Sequence, residues 1–132
     1  MNPVVHFEMP YDDGERIARF YRAAFGWKLQ VLGEEMGRYV LATTVEEDAM
    51  PDAPRGAING GFFPRDPRKP GQHPSVVIGV GDIAASMRAV GEAGGEVLGT
   101  PMEIPGVGQY VAFHDTEGNR LSMLQPLMPK GR

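Results

Sequence analysis

Residues 4–27, VVHFEMPYDDGERIARFYRAAFGW, decide the fold of this chain. Their first part alternates, so that Phe7 and Met9 lie on one face of a strand while His6 and Glu8 lie on the other. Apolar residues then recur at the spacing of a helix. The stretch therefore predicts a strand followed by a helix that packs on the strand's apolar face.

The residues around this helix mark its two ends. Asp13 can cap the first turn, because its carboxylate accepts hydrogen bonds from free backbone N–H groups. The helical pattern runs from Glu15 to Phe25, and Gly26 can adopt the left-handed conformation that ends a helix. Three short strand-like segments follow, over residues 27–32, 38–45 and 57–63.

The same order of elements restarts at Ser75. A strand precedes a second capping residue, Asp82, and the next helical stripe closes at Gly95. One offset along the chain lays Asp82 on Asp13 and Gly95 on Gly26, so two independent markers agree. The strands predicted in this part are residues 75–80, 97–104, 109–113 and 120–125. The chain therefore predicts an α+β fold of two βαβββ modules.

We interpret residues 1–132 as a single domain that contains this internal repeat. The first module spans residues 1–63 and the second spans residues 75–132. Between them, residues 64–74 hold four prolines and fit no regular element, so they are predicted to be a linker.

The composition excludes several classes of protein. The absence of cysteine excludes disulfides, a thiol nucleophile and zinc or iron–sulfur sites built from cysteine. A net charge of −4 argues against electrostatic binding to nucleic acid or to anionic lipid. The chain has neither an apolar run long enough to span a membrane nor a secretory signal. We therefore predict a cytoplasmic protein with no nucleic-acid or membrane partner.

Four motifs occur in a characteristic order: VHFE at 5–8, RFY at 19–21, FGW at 25–27 and FHDTEGN at 113–119. Together they resemble the vicinal oxygen chelate superfamily, which contains glyoxalase, bleomycin-resistance and extradiol dioxygenase proteins. The resemblance covers nearly the whole chain. It implies two βαβββ modules whose mixed sheets curl around a ligand cavity, with the helices on the outer face. It also implies a homodimer.

The resemblance also implies where a metal ion would be held. Members that do metal chemistry place ligands on the first and last strands of each module. Carried over to this chain, those positions are His6, Ser75, Ser122 and either Gly60 or Gly61. Only His6 is a good ligand, whereas a catalytic divalent site needs about three protein ligands plus an open position. We therefore predict no bound metal and no other cofactor.

The face of the first strand that carries His6 and Glu8 is the predicted place of function. The two side chains could serve a ligand, or they could be a structural pair that hydrogen-bonds across strands. If Gly60 holds the former ligand position, Phe62 would form an aromatic wall of the same face. The predicted ligand-binding residues are His6, Glu8, Phe62, Ser75 and Ser122, and no catalytic residue is assigned.

Three functions remain open from the sequence. The first is metal-free binding of a small apolar or aromatic molecule. The second is a lyase, isomerase or dioxygenase-type enzyme that uses His6 and Glu8 with a weakly held divalent ion. The third is a dimeric module whose cavity is vestigial. The missing metal ligands favour the first and third functions, while the retained polar pair keeps the second open.

Overall fold

A computed structural model describes residues 1–46 and 56–127 of the chain, which form two compact units. The first unit comprises residues 6–74, and the second comprises residues 1–5 together with those described from 75 onward. The segment predicted to be a linker, residues 64–74, groups with the first unit. Within the described ranges, no helix combines the length and the apolar character that crossing a membrane requires.

The described residues of the first unit form an α-helix and a four-stranded mixed sheet. Its elements are β1 (Val4–Tyr11, of which residues 4 and 5 group with the second unit), α1 (Gly14–Phe25), β2 (Lys28–Val31), a short 3-10 helix (Glu34–Met36), β3 (Val40–Thr43) and β4 (Asn59–Pro64). The strands lie in the order β2-β3-β4-β1. Strand β1 pairs parallel to β4, whereas β2–β3 and β3–β4 are antiparallel.

An aromatic core fixes one face of this sheet against α1. Phe62 is fully buried, and its ring centroid lies 5.2 Å from that of Tyr21 in α1. Trp27 stacks on Tyr21 with a centroid separation of 4.6 Å, and Phe7 contacts Phe62 edge-on at 6.4 Å. Aromatic groups of this size supply much of the apolar area that a small core buries. This packing leaves the opposite face of the sheet to His6 and its neighbours.

The second unit repeats this order of elements. Its elements are β5 (Ser75–Gly79), α2 (Ile83–Glu92), β6 (Glu96–Ile104), β7 (Gly108–His114) and β8 (Arg120–Pro126). The strands lie in the order β5-β8-β7-β6, with β5 parallel to β8. Its core contains Val80, Ile83, Val111, Phe113 and Met123. The N-terminal residues join this unit, because the Gly79 backbone N–H donates to the Pro3 carbonyl oxygen at 2.8 Å.

The predicted N-caps of both helices and the glycine that ends α1 are confirmed, whereas α2 ends at Ala93 and Gly94, before the predicted Gly95, with a φ of 101° at Gly94. Asp13 accepts a hydrogen bond from the Arg16 backbone N–H at 3.0 Å, and Asp82 accepts one from Ala85 at 3.0 Å. Gly26 has a φ of 71°, the left-handed conformation that favours glycine. The α+β class with two βαβββ units is therefore confirmed, and the predicted strand boundaries differ from the observed ones by one to two residues at most ends.

Candidate ligand site on the first unit

The register of the strands assigns residues to the two faces of the first sheet. In the β1–β4 pair, Glu8 lies opposite Gly61 and Met9 lies opposite Phe62. Residues that pair directly share a face, and faces alternate along a strand. Gly61 therefore lies on the face of Glu8, which we call the His6 face, and Phe62 lies on the face that packs against α1.

The second unit shows the same register. Val77 of β5 pairs with Ser122 of β8, and Ile78 pairs with Met123. Because Val77 occupies the place in β5 that Glu8 occupies in β1, Ser122 is the counterpart of Gly61. Of the two glycines that the sequence left open, the structure thus selects Gly61.

The prediction that Phe62 forms a wall of the ligand face is wrong. Phe62 is completely buried in the core against α1, where no ligand on the His6 face can touch it. That prediction was conditional on Gly60 holding the former ligand position, and a difference of one residue exchanges the two faces of a strand. By the same alternation, the half-buried Phe63 lies on the His6 face.

A chain of hydrogen bonds crosses the His6 face. The Tyr39 hydroxyl lies 2.9 Å from His6 Nε2 and donates to Glu8 Oε2 at 3.1 Å. The structure thus brings His6 and Glu8 together, as the strand alternation predicted, but through a third residue. All three side chains are half-buried.

The sequence analysis missed Tyr39. This residue directly precedes β3 and follows a tight turn in which Gly37 and Arg38 have φ values of 67° and 57°. No local sequence pattern marks it, and its counterpart in the second unit, Tyr110, follows only from the strand register: Val40 pairs with Phe62, and Val111 pairs with Met123. The list of equivalent pairs is Tyr39 with Tyr110, Val40 with Val111, Gly61 with Ser122 and Phe62 with Met123.

Gly61 gives Tyr39 the space to reach His6 and Glu8. A Cβ atom placed on Gly61 overlaps the Tyr39 ring and its hydroxyl group. The ring thus fills the volume that a side chain at position 61 would take. The position where the resemblance implies a metal ligand is covered by the tyrosine that precedes the neighbouring strand β3.

The electrostatic environment favours the neutral form of His6. Burial lowers the pKa of His6 below its ordinary value, because an imidazolium ion loses hydration there. The negative charge of Glu8 opposes this effect and is the smaller of the two. A neutral imidazole can act as a hydrogen-bond donor through one nitrogen and as an acceptor through the other.

The predicted residues of the second unit lie in a different environment. Ser122 is buried, and its Oγ lies 2.5 Å from the Tyr110 hydroxyl. Ser75 is half-buried at the start of β5, two residues before Val77. The structure thus joins Ser122 to Tyr110.

Two surface depressions lie away from these groups, at the start of α1. The volumes are about 300 Å³ and 340 Å³, and the linings share Tyr11, Asp12 and Asp13. Neither lining includes His6, Glu8 or Tyr39. Both depressions are open to solvent and lie at the start of α1, so the hydrogen-bonded side chains of the His6 face remain the candidate site.

Comparison with known proteins identifies the family. The model of the Glyoxalase/Bleomycin resistance protein/Dioxygenase superfamily matches residues 4–123. The chain belongs to this superfamily. A relative from Didymella fabae, described as a glyoxylase-like domain-containing protein, is 33% identical over 115 residues, which cover 85% of this chain and 84% of the relative.

Solved structures show the same superfamily fold. Methylmalonyl-CoA epimerase from Mycobacterium tuberculosis superposes with a TM-score of 0.69 at 16% identity, covering 95% of this chain and 88% of that chain. A hypothetical protein from Bacillus halodurans gives a TM-score of 0.68 at 15% identity, with 99% of both chains covered. At these identities the likeness establishes the fold alone.

The donor groups of this superfamily member do not fit a catalytic metal ion. The four positions implied by the resemblance hold one imidazole, two serine hydroxyls and a glycine, at His6, Ser75, Ser122 and Gly61. Over residues 1–46 and 56–127, no three His, Cys, Asp or Glu side chains are grouped so that they could hold a metal. Neutral hydroxyls are poor ligands for first-row transition metals, and glycine has no side-chain donor.

Proposed function

We propose that this superfamily member binds a small apolar or aromatic molecule on its His6 face without using a metal ion. The observation that carries the proposal is the hydrogen-bonded chain His6–Tyr39–Glu8. A few polar groups held in fixed positions beside apolar side chains are typical of small-molecule sites. Leu41 and Phe63 supply apolar neighbours, since both lie on this face by strand alternation.

The occupied position 61 supports binding over metal chemistry. In a metal-dependent relative this position would supply a ligand, but here the Tyr39 ring lies over Gly61. The tyrosine also engages the only imidazole of the implied set. A dioxygenase-type reaction with a divalent ion at these positions therefore has no suitable donor set in this part of the chain.

An acid–base isomerase or lyase is the second candidate, and the same hydrogen-bonded chain favours it. A histidine linked through a hydroxyl to a carboxylate can hold and transfer a proton. Five of the similar solved structures are described as methylmalonyl-CoA epimerases in complex with methylmalonyl-CoA or with 2-nitronate-propionyl-CoA. The two candidate functions are distinguished by measuring turnover: an isomerase or lyase would convert its ligand to a product, whereas a binding protein would not.

The proposal is tested by titrating the protein with toluene, anisole and phenol while recording backbone NMR spectra. We expect shifts that concentrate on β1, β3 and β4 around His6. His6→Ala should weaken binding in part, whereas Tyr110→Phe in the second unit should leave binding unchanged. Shifts confined to residues away from the His6 face would contradict the proposal. Elemental analysis showing a stoichiometric metal ion would contradict its metal-free part.

Homodimer formation and a cytoplasmic location complete the proposal. Strands β2 and β6 are edge strands, and an edge strand presents backbone N–H and C=O groups that can pair with a second chain. Sedimentation velocity tests the assembly. A single monomer boundary at high micromolar concentration would contradict the dimer.

A further inference from the structure

We propose that Tyr39 and Glu8 hold His6 in a single tautomer, with its proton on Nε2, so that His6 Nδ1 accepts a hydrogen bond from the ligand. This inference rests on the proposed function and names the ligand class within it. The ligand is a small aromatic or apolar molecule that carries a neutral donor, such as a phenolic hydroxyl or an N–H group. Tyr39 acts as a positioning residue, because it works through His6.

The positions of the protons in the hydrogen bonds between His6, Tyr39 and Glu8 determine the tautomer of His6. A carboxylate can only accept hydrogen bonds, so the Tyr39 hydroxyl donates its one proton to Glu8. The Tyr39 oxygen is then left to accept at its contact with His6 Nε2, 2.9 Å away. Since a neutral imidazole carries one N–H, that proton lies on Nε2 and a lone pair lies on Nδ1.

Nδ1 of His6 is also accessible. Within the described residues, no side-chain nitrogen or oxygen that is buried lacks a hydrogen-bond partner. The hydrogen bond found for the His6 side chain uses Nε2. Nδ1 is therefore open to solvent and available to a bound molecule.

This arrangement distinguishes between ligands by their hydrogen-bonding groups. A lone pair on Nδ1 attracts a hydroxyl or N–H, but it repels a carboxylate or ether oxygen, which can only accept. A site built to hydrogen-bond a donor discriminates against an analogue that lacks it. For a half-buried group such as His6, we expect phenol to bind about tenfold more tightly than its methyl ether, anisole.

The tautomer is tested directly by long-range ¹H–¹⁵N NMR of the histidine rings above pH 7.5. The wild-type spectrum should show a protonated Nε2 and an unprotonated Nδ1 for His6. Tyr39→Phe should give a mixture of tautomers, whereas the matched variant Tyr110→Phe should leave the His6 signals unchanged. Glu8→Gln should also give a mixture of His6 tautomers, because the amide of glutamine can donate a hydrogen bond to the Tyr39 hydroxyl. A protonated Nδ1 in the wild type, or no change in Tyr39→Phe, would overturn the inference.

The ligand class is tested with phenol, anisole, toluene and benzoate. We expect phenol to bind most tightly and benzoate most weakly, and the advantage of phenol over anisole should vanish in Tyr39→Phe but persist in Tyr110→Phe. Equal binding of phenol and anisole by the wild type would overturn this inference and leave the proposed function standing. If none of the four probes shifts the His6 face, the proposed function itself fails.

Discussion

The two units place a tyrosine at the same position, yet the two hydroxyl groups have different partners. Tyr39 of the first unit lies 2.9 Å from His6 and donates to Glu8, while Tyr110 of the second unit lies 2.5 Å from Ser122. The strands, the register and the buried residue that follows each tyrosine agree in both units. The two units therefore differ in the residues that surround the hydroxyl group of each tyrosine.

One position accounts for most of this difference. Gly61 leaves room for the ring of Tyr39 to pass over β4, whereas its counterpart Ser122 meets the Tyr110 hydroxyl with its own Oγ. In the first unit the Tyr39 hydroxyl then reaches an imidazole and a carboxylate. A repeated scaffold can thus carry function in one copy, while the other copy keeps a neutral hydrogen bond.

The largest expected effect tests the shared core of the two units. Phe62→Ala should lower the free energy of unfolding by about 3–5 kcal/mol, because it empties a fully buried aromatic site. Met123→Ala, at the equivalent position, should cost about 2–5 kcal/mol. Urea unfolding measures both. As a control, Phe63→Ala should cost clearly less, since Phe63 is half-buried on the other face. A Phe63 variant as unstable as the Phe62 variant would reverse our assignment of faces.

The next effect tests the space that Gly61 provides. Gly61→Ala should destabilise by about 1–3 kcal/mol, because the added methyl group overlaps the Tyr39 ring. Gly91→Ala is the matched control: it meets nothing within 4 Å in α2 and should stabilise by about 0.5–1 kcal/mol. The loss at Gly61 should shrink in a Tyr39→Ala background. Equal losses in both backgrounds would mean that the tyrosine is not what crowds this position.

The two tyrosine hydroxyls give a smaller and more selective effect. Tyr110→Phe and Ser122→Ala should each cost about 1 kcal/mol, the usual value for one hydrogen bond, and the double variant should cost little more than either. Tyr39→Phe should cost a similar amount. Thermal or urea unfolding measures these values. Additive losses for Tyr110 and Ser122 would show that their hydroxyls do not stabilise one another.

Much of this structure could be predicted from the sequence. The caps Asp13 and Asp82 and the shared face of His6 and Glu8 follow from local chemistry and from the alternation of a strand. Local patterns do not determine which residues of two strands pair. Assigning Gly60, Gly61 and Phe62 to the correct faces of β4 requires a register that is correct to one residue.

Tyr39 lay beyond prediction for a related reason. The offset that aligns the helices of the two units does not align Tyr39 with Tyr110, because the connections before β3 and β7 differ in length. Its contacts with His6 and Glu8 span more than thirty residues of sequence and depend on the tight turn at Gly37 and Arg38. Long-range contacts of this kind leave no periodic signal.

The smallest expected effect is a pH dependence that belongs to the first unit alone. Burial lowers the pKa of His6 in the folded protein, whereas in the unfolded chain a histidine titrates near its ordinary value of about 6.5. Below that value the unfolded chain binds the proton more readily, so the free energy of unfolding should fall as the pH is lowered and should level off above it. Among the described residues, Tyr39 hydrogen-bonds to His6, and the negative charge of Glu8 only partly offsets the effect of burial.

The measurement is urea unfolding of wild type and His6→Gln between roughly pH 5 and pH 8, the range in which a histidine changes charge. The other two histidines, His73 and His114, are present in both proteins, so the difference between the two curves isolates His6. We expect the wild type to lose stability relative to His6→Gln as the pH falls, because glutamine has no charge to gain. For Ser75→Ala, at the equivalent position of the second unit, the free energy of unfolding should change with pH as it does in the wild type, because neither serine nor alanine titrates. A wild type that gains stability relative to His6→Gln on acidification would mean that the folded protein prefers the imidazolium, and that the carboxylate of Glu8 outweighs burial at this site.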